Sequence, residues 1–159
     1  MNVTTPNLQA SLDELIGLAH EAEWVYSNAG QDGKDGTLVA FAMKRAAQCA
    51  RRADDLASIS VLYGRSPERN DSVLSIAQRT WTQLRMAVGQ RDDLQLLDDC
   101  ERIEDETLRA YTRLLRRPLP ASLRIALQDE FKKSQDFREQ LRVLGDKMFE
   151  LHTGKTRVA

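Results

Sequence analysis

Hydrophobic residues recur along the chain at intervals of three and four positions, the spacing that lines one face of an α-helix. Glycine and proline cluster between these periodic segments and mark their ends. The first segment follows the sequence TTPN, with Asn7 or Ser11 as its N-cap, and ends near Asn28. Four further segments follow, at residues 37–63, 72–88, 92–117 and 120–152. The pattern therefore predicts an all-α chain with five helices.

The lengths of the segments predict how the helices are arranged. Four of them are long, and the shorter one at residues 72–88 lies in the connection between the second and the fourth. An up-down pair of helices, a long connection and a second pair form a four-helix bundle with a crossover. We expect residues 1–152 to form a single bundle domain, followed by a polar tail at residues 153–159 that frays.

Two acids interrupt the apolar face of the fourth predicted helix. Glu101 and Glu104 fall within a three-four series that is otherwise apolar and consists of Leu94, Leu97, Leu108, Tyr111 and Leu115. Three interpretations fit this pattern: the acids are metal ligands, they pair with arginines, or they lie on a solvated edge of the helix. The surrounding sequence DDCERIEDE is rich in acids on every side, which keeps the third interpretation open.

Composition and charge narrow the classes of function. The chain carries 23 Lys and Arg against 24 Asp and Glu, a formal net charge of −1, which does not favour nucleic acid or an anionic membrane as partner. Long apolar runs and the layout of a signal peptide are both missing, so we expect a cytoplasmic protein that makes no membrane contact. Cys49 and Cys100 belong to no C-x-x-C motif and have apolar neighbours at helical spacing, so we expect buried, reduced thiols.

Three segments give the chain a resemblance to a known family. They are LDELIGLAHEAEWVY in the first helix, RTWTQLRMAV in the shorter helix and CERIEDETLRAYTRLL in the fourth. Together they resemble the proteobacterial ferritin-like four-helix-bundle proteins of unknown function, from Leu12 to Leu144. The resemblance implies a ferritin-like bundle, within a superfamily whose better-known members hold two irons. It implies no assigned activity.

The ligands of a di-iron site can be sought directly in the sequence. The ferritin-like arrangement takes one Glu from each of two helices and a Glu-x-x-His motif from each of the other two. The histidines are His20 and His152, and Gly17 and Phe149 stand three residues before them, so neither completes the motif. Hard cations also accept sites made only of oxygen ligands, so an iron or manganese pair remains an alternative. Its candidate ligands are Glu23, Glu101, Glu104 and Glu130.

Arginines offer another way to neutralise buried acids, because a guanidinium group can bind a carboxylate through two parallel hydrogen bonds. Arg138 lies one position from Phe137 on the inner side of the last helix, and the resemblance places it where the family has a histidine. Further candidate cations are Arg45, Arg51, Arg102 and Arg109. We therefore expect no cofactor, and expect a structural charge network in place of a metal site. Its predicted members are Glu101, Glu104, Arg138 and Arg52.

These expectations favour a protein without enzymatic activity that has lost metal chemistry. It would act as a structural or interaction module, including a stress-related role, and the sequence indicates no particular protein partner. The shorter helix carries Trp81, Leu84 and Val88, which must cover an apolar surface, so we expect self-association as a dimer. One alternative is a di-iron or di-manganese carboxylate protein that stores or oxidises iron. Another is a small-molecule-binding bundle with an apolar cavity.

Overall fold

The computed structural model describes residues 6–64, 66, 69–89 and 91–158, and the regular elements in these ranges are all α-helices. The helices are α1 Pro6–Asp32, α2 Gly36–Val61, α3 Arg69–Val88, α4 Asp93–Leu115 and α5 Ala121–Thr153. The all-α class is therefore confirmed, and with Asn7 as the predicted start of α1 each predicted helix boundary lies within four residues of the observed one. No described helix has the length and apolar content that a membrane-spanning segment requires.

The reversal between α1 and α2 is tighter than the sequence predicts, because α1 runs past its predicted end at Asn28. The backbone N–H of Gly33 donates to the carbonyl of Ala29 at 3.0 Å, and a Cβ atom at this glycine would lie 2.5 Å from that oxygen. Asp93 on α4 accepts hydrogen bonds from the next two backbone N–H groups, at 2.8 and 2.7 Å. The reversal is thereby tied to the start of α4.

A capping box fixes the start of α4. The side chain of Asp92 accepts from the backbone N–H of Gln95 at 2.9 Å, and the side chain of Gln95 accepts from the backbone N–H of Asp92 at 3.0 Å. Two N–H groups that no helical carbonyl could reach are satisfied in this way. Because the first turn is fixed, the face on which Glu101 and Glu104 lie is fixed as well.

The long helices pack side by side, and one contact between them is weak. α1 packs most extensively against α2 and also contacts α4, while α4 contacts α5. α2 and α5 touch over only a short stretch, so a groove runs between them. α3 packs on α1, where the Trp81 ring lies 6.5 Å from the ring of Trp24.

The hydrophobic core consists of two clusters of buried side chains. The first includes Cys49 of α2, Ile103 of α4 and Leu141 of α5, and the second includes Leu56 of α2, Ala110 of α4 and Leu127 of α5. Buried polar side chains lie beside the first cluster and between the two clusters, and we call this region the polar layer. Its buried members on these helices are Arg45, Arg52, Glu104, Thr107 and Ser134.

Both cysteines are free and buried, which confirms the prediction of reduced thiols inside the protein. Burial raises the pKa of Cys49 to about 11 and raises the pKa of Cys100 well above its ordinary value. Both thiols are therefore protonated at neutral pH and pack as small apolar groups.

Candidate functional site

The polar layer is centred on Glu104, a residue of α4 whose side chain is 1% exposed. Three other helices each direct a polar side chain to this place: Tyr26 from α1, Arg45 from α2 and Ser134 from α5. The sequence allows this arrangement because small residues flank the arginine on α2, where Ala42 and Ala46 leave room for a long side chain. Glu104 is thus the point at which the four long helices meet.

Glu104 is held by two donors on one of its oxygens. Arg45 Nε donates to Glu104 Oε1 at 2.6 Å, and the hydroxyl of Tyr26 donates to the same oxygen at 2.8 Å. Arg45 Nη2 also donates to the hydroxyl oxygen of Ser134 at 3.4 Å, and the guanidinium carbon lies 4.0 Å from the centre of the Phe137 ring. The guanidinium is therefore fixed by an ion pair, a hydrogen bond and a cation–π contact.

The charges in this cluster depend on one another because both side chains are almost fully buried. Burial is the largest single effect on Arg45 and acts to lower its pKa, but the charge of Glu104, its hydrogen bond and the other nearby groups together outweigh burial and keep the pKa above its ordinary value. Burial and the same glutamate raise the pKa of Tyr26, so its hydroxyl keeps its proton and remains a donor. The result is a neutral pair inside the protein, and either partner alone would be an uncompensated buried charge.

Two buried oxygens of the layer have no hydrogen-bond partner within the described residues. They are Glu104 Oε2 and the hydroxyl of Tyr111, which lies two turns further along α4. The ring of Tyr111 lies 6.0 Å from the guanidinium carbon of Arg52. The polar atoms near Arg45 thus have hydrogen-bond partners, whereas these two oxygens at the centre of the layer have none within the described residues.

Arg52 forms a second pair, separate from Glu104. Its Nε atom donates to Glu130 Oε2 on α5 at 3.0 Å, with the two side chains 3% and 15% exposed. Lys133 approaches the other oxygen of Glu130 at 3.5 Å. This pair bridges the groove between α2 and α5, where apolar packing is sparse.

Glu101 belongs to a third group, on the α4–α5 side. Arg138 lies 2.9 Å from Glu101 and donates to Asp105 at 2.7 Å. Arg157, from beyond the end of α5, donates to Glu101 at 2.7 Å and to Asp146 at 2.9 Å. Glu101 is therefore contacted by two arginines at a partly exposed position.

The predicted charge network is consequently divided, which corrects the expectation of one connected network. Glu101 and Arg138 are brought together, but Glu104 is bonded to Arg45, and Arg52 to Glu130. The reason is rotational: Glu101 and Glu104 are three residues apart on α4, so they point to neighbouring sectors of the helix rather than to one.

The tail after α5 also differs from the prediction that it frays. Gly154 ends the helix in the left-handed conformation with φ of 69°, and the chain turns back so that Arg157 lies against α5. A Cβ atom added at Gly145 would lie 2.5 Å from Arg157 Nη1, so this glycine provides the space for the guanidinium.

Replacing Gly145 with alanine is expected to release the tail, because the added methyl group occupies the place of the Arg157 guanidinium. The global free energy of unfolding should change little, since alanine improves helix propensity by about 1 kcal/mol over glycine. The measurement is the rate at which trypsin cleaves after Lys155 and Arg157, which should rise severalfold. Gly36→Ala is the control, since a Cβ there meets nothing within 4 Å. Equal cleavage rates in the two variants would contradict the expectation.

The fit of a di-metal centre can be tested on the candidate ligands themselves. Glu23 is 32% exposed and lies 3.7 Å from His20, whereas Glu104, Glu130 and Glu101 are each paired with a different arginine. In the described part of the chain, no group of three or more His, Cys, Asp or Glu side chains is placed to hold an ion. The residues therefore do not fit the di-iron arrangement, which needs several ligands on one centre.

The partner of Glu104 is Arg45, whereas the predicted network contained Arg138 and Arg52. A usable signal was present, because Leu38, Arg45, Arg52 and Ile59 recur at intervals of seven, two helical turns apart. Arg45 and Arg52 thus share the face of α2 that Leu38 and Ile59 occupy. Nothing comparable marks Tyr26, which reads as one more large residue of the apolar stripe on α1.

Comparison with known proteins places the chain in a sequence family. The family model described as Domain of unknown function (DUF2383) matches residues 7–117, well over half of the 159 residues, so the chain belongs to this family. The matched region holds Tyr26, Arg45 and Glu104 and stops before α5. No curated protein matches the chain.

Proposed function

We propose that this member of the DUF2383 family is a ferritin-like four-helix bundle in which arginines take the electrostatic role of a metal pair, and that it serves as a structural or interaction protein. The packing supports the bundle: α1 contacts α2 and α4, α4 contacts α5, and α5 meets α2 again. α3 lies in the connection between the two helix pairs, as in bundles with a long crossover.

The observation that carries the proposal is the ion pair between Arg45 Nε and Glu104 Oε1, at 2.6 Å and with both side chains at most 2% exposed. The glutamate at the centre of the layer already has a protein cation on one oxygen. A metal ion at this place would meet the positive charge of the guanidinium, which Glu104, Ser134 and Phe137 already hold in position. The site accordingly supports a structural role better than metal chemistry.

The competing function is an iron or manganese carboxylate protein, and the unpaired Glu104 Oε2 is the feature that favours it. Elemental analysis of protein purified from cells grown with added iron and manganese separates the two. We expect a metal content near zero per chain. A content of about two ions per chain that is lost in Glu104→Ala would support the metal function and reject the structural one.

Self-association through α3 is the second part of the proposal, with a second copy of this chain as the partner. Ile76 and Leu84 are 57% and 48% exposed on α3, and Leu84 lies at the edge of the face with which Ala77 and Trp81 pack toward α1. Two such faces can meet around a two-fold axis. With a net charge of −1, two copies repel each other little. The side chain of Val88, the remaining predicted residue of this face, lies outside the described part of the chain.

Sedimentation velocity over a range of concentrations tests this part. We expect a concentration-dependent dimer that is lost in the double variant Ile76→Asp/Leu84→Asp, because the substitution would bury charge at the contact. Ile125→Asp is the matched control, since Ile125 is 67% exposed on α5, away from α3. A monomer at high concentration, or a dimer lost equally in the control, would reject the proposed interface. A cytoplasmic location and a stress-related role stay predictions.

A further inference from the structure

A cavity of about 150 Å³ lies between α1, α3 and α4. No residue of α2 is among its lining residues. Its apolar lining includes Val25, Trp81 and Ile103, and its polar lining includes Glu21, Asn28 and Glu106. None of these polar groups takes part in the ion pairs described above. A cavity of this volume accommodates a group about the size of benzene.

Three acids line the cavity, and of these Asp99 is paired with Arg91, which leaves Glu21 and Glu106. Within the described residues neither Glu21 nor Glu106 takes part in a salt bridge. They are close enough to repel each other: burial, and then the charge of Glu106, raise the pKa of Glu21 above its ordinary value. Two like charges beside an apolar wall are stabilised when a positive charge lies between them.

Asn28 adds a third hydrogen-bond acceptor to the cavity lining. Its Oδ1 atom is shielded from solvent and has no hydrogen-bond partner in the ranges that the structure describes. A buried carbonyl oxygen without a donor costs free energy that a bound donor group would recover. The polar lining on α1 therefore offers an acceptor without a donor beside it.

The two arginines that line the cavity are each paired with an aspartate rather than with Glu21 or Glu106. Arg91 binds Asp99 through two hydrogen bonds, at 3.0 and 2.6 Å. Arg102 donates to Asp98 at 3.0 Å, one turn earlier on α4. Within the described residues, the cavity consequently combines acceptors that have no partner with arginines that are already paired, which favours a cationic ligand and disfavours an anionic one.

We propose that this cavity binds a small organic cation, with its ammonium group between Glu21 and Glu106 and its apolar group against the ring of Trp81. The ammonium group would donate to the two carboxylates and to Asn28 Oδ1. The negative face of an indole attracts a nearby cation, so the tryptophan contributes to the same selectivity. The chemical class is a primary amine with an apolar group of roughly six carbons, set by the size of the cavity.

The experiment is an NMR titration of the nitrogen-labelled full chain with benzylammonium chloride, compared with benzyl alcohol. The two probes have the same shape, and only the first carries a charge. We expect saturable shifts of the Trp81 indole N–H and the Asn28 side-chain amide with the amine, and affinity for the alcohol at least about fivefold weaker. Equal affinity for the two probes, or no saturable shift with the amine, would overturn the proposal.

Charge-removing variants identify the carboxylates. Glu21→Gln and Glu106→Gln keep the shape of the lining, and each should weaken amine binding at least about fivefold, because one ion pair is lost. Asp54→Asn removes the same charge from an exposed position on α2 and should leave the affinity unchanged. Circular dichroism verifies folding, and Trp81→Phe, which keeps an aromatic ring, is available if a glutamine variant fails to fold. Equal weakening in Asp54→Asn would mean that net charge alone attracts the amine, which rejects the site.

Discussion

Replacing Arg45 with methionine is expected to lower the free energy of unfolding by about 3–5 kcal/mol, the cost of leaving one partner of a buried ion pair without its counter-charge. Glu104 would keep the hydroxyl of Tyr26 as its donor, but its charge would face an interior in which its own side chain is 1% exposed. Methionine is chosen because it fills much of the volume of arginine and carries no charge. Urea denaturation followed by circular dichroism measures the change.

The matched control is Arg102→Met on the surface. Arg102 pairs with Asp98 at 3.0 Å, but the two side chains are 57% and 70% exposed, so the loss should stay below about 1 kcal/mol. The double variant Arg45→Met/Glu104→Met should recover most of the stability, because replacing both partners of a buried pair with apolar groups is often neutral or stabilising. If Arg45→Met lowered the free energy of unfolding no more than Arg102→Met, the buried pair would contribute no more stability than an exposed pair. The structural role proposed for it would then be rejected.

Replacing Tyr26 with phenylalanine is expected to cost about 1.5–3 kcal/mol, the usual contribution of a hydrogen bond to a charged group. The ring stays, so the first hydrophobic cluster keeps its packing, and the loss isolates the 2.8 Å bond to Glu104 Oε1. The effect should be large for one hydroxyl because the other oxygen of Glu104 has no partner within the described residues. Thermal unfolding and urea denaturation give the free energy.

Tyr63→Phe provides the comparison, because its hydroxyl also bonds a side chain, that of Ser122, but in an exposed place. Water replaces a lost partner there, so the change should be below about 1 kcal/mol. In the double variant Tyr26→Phe/Arg45→Met the two losses should not add, since both substitutions act on the same oxygen. Additive losses would indicate that the tyrosine and the arginine stabilise the protein independently.

Much of the fold follows from local sequence, because helix signals are local. The capping residues Asp35 and Asp92 and the prolines before α5 fix where α2, α4 and α5 begin, and the three-four periodicity fixes which face is buried. The end of α1 lies beyond its predicted position because Gly30, which favours a break, is helical in the structure. Tertiary packing on α2 keeps that residue helical, whereas Gly33 makes the actual reversal.

The site was less predictable, because its pairs depend on rotation between helices. The sequence placed Glu101 and Glu104 on the edge of an apolar band, and the structure places Glu104 inside and Glu101 nearer the surface. A difference of three residues turns a side chain by about 60° around the helix, and the position of the neighbouring helix decides which is enclosed. The spacing of residues on α4 alone does not predict the position of the neighbouring helix.

The tail was unpredictable for a different reason. The position of Arg157 depends on a left-handed turn at Gly154 and on the missing side chain of Gly145, nine residues earlier. Each glycine taken alone has an ordinary explanation, as a helix end or as a small residue within a helix. The contact exists only because the two occur together, and a periodicity search does not test such combinations.

The polar layer also determines the alignment of the helices along their axes. Leucine and alanine faces pack almost equally well when one helix slides along another, so the two clusters alone define that alignment weakly. A slide of α2 by one turn, about 5.4 Å, would carry Arg45 away from Glu104 and leave each charge opposite hydrocarbon. Arrangements in which one helix has slid along another are therefore higher in energy. The buried ion pair contributes less stability than apolar residues would, but it favours a single alignment of the helices.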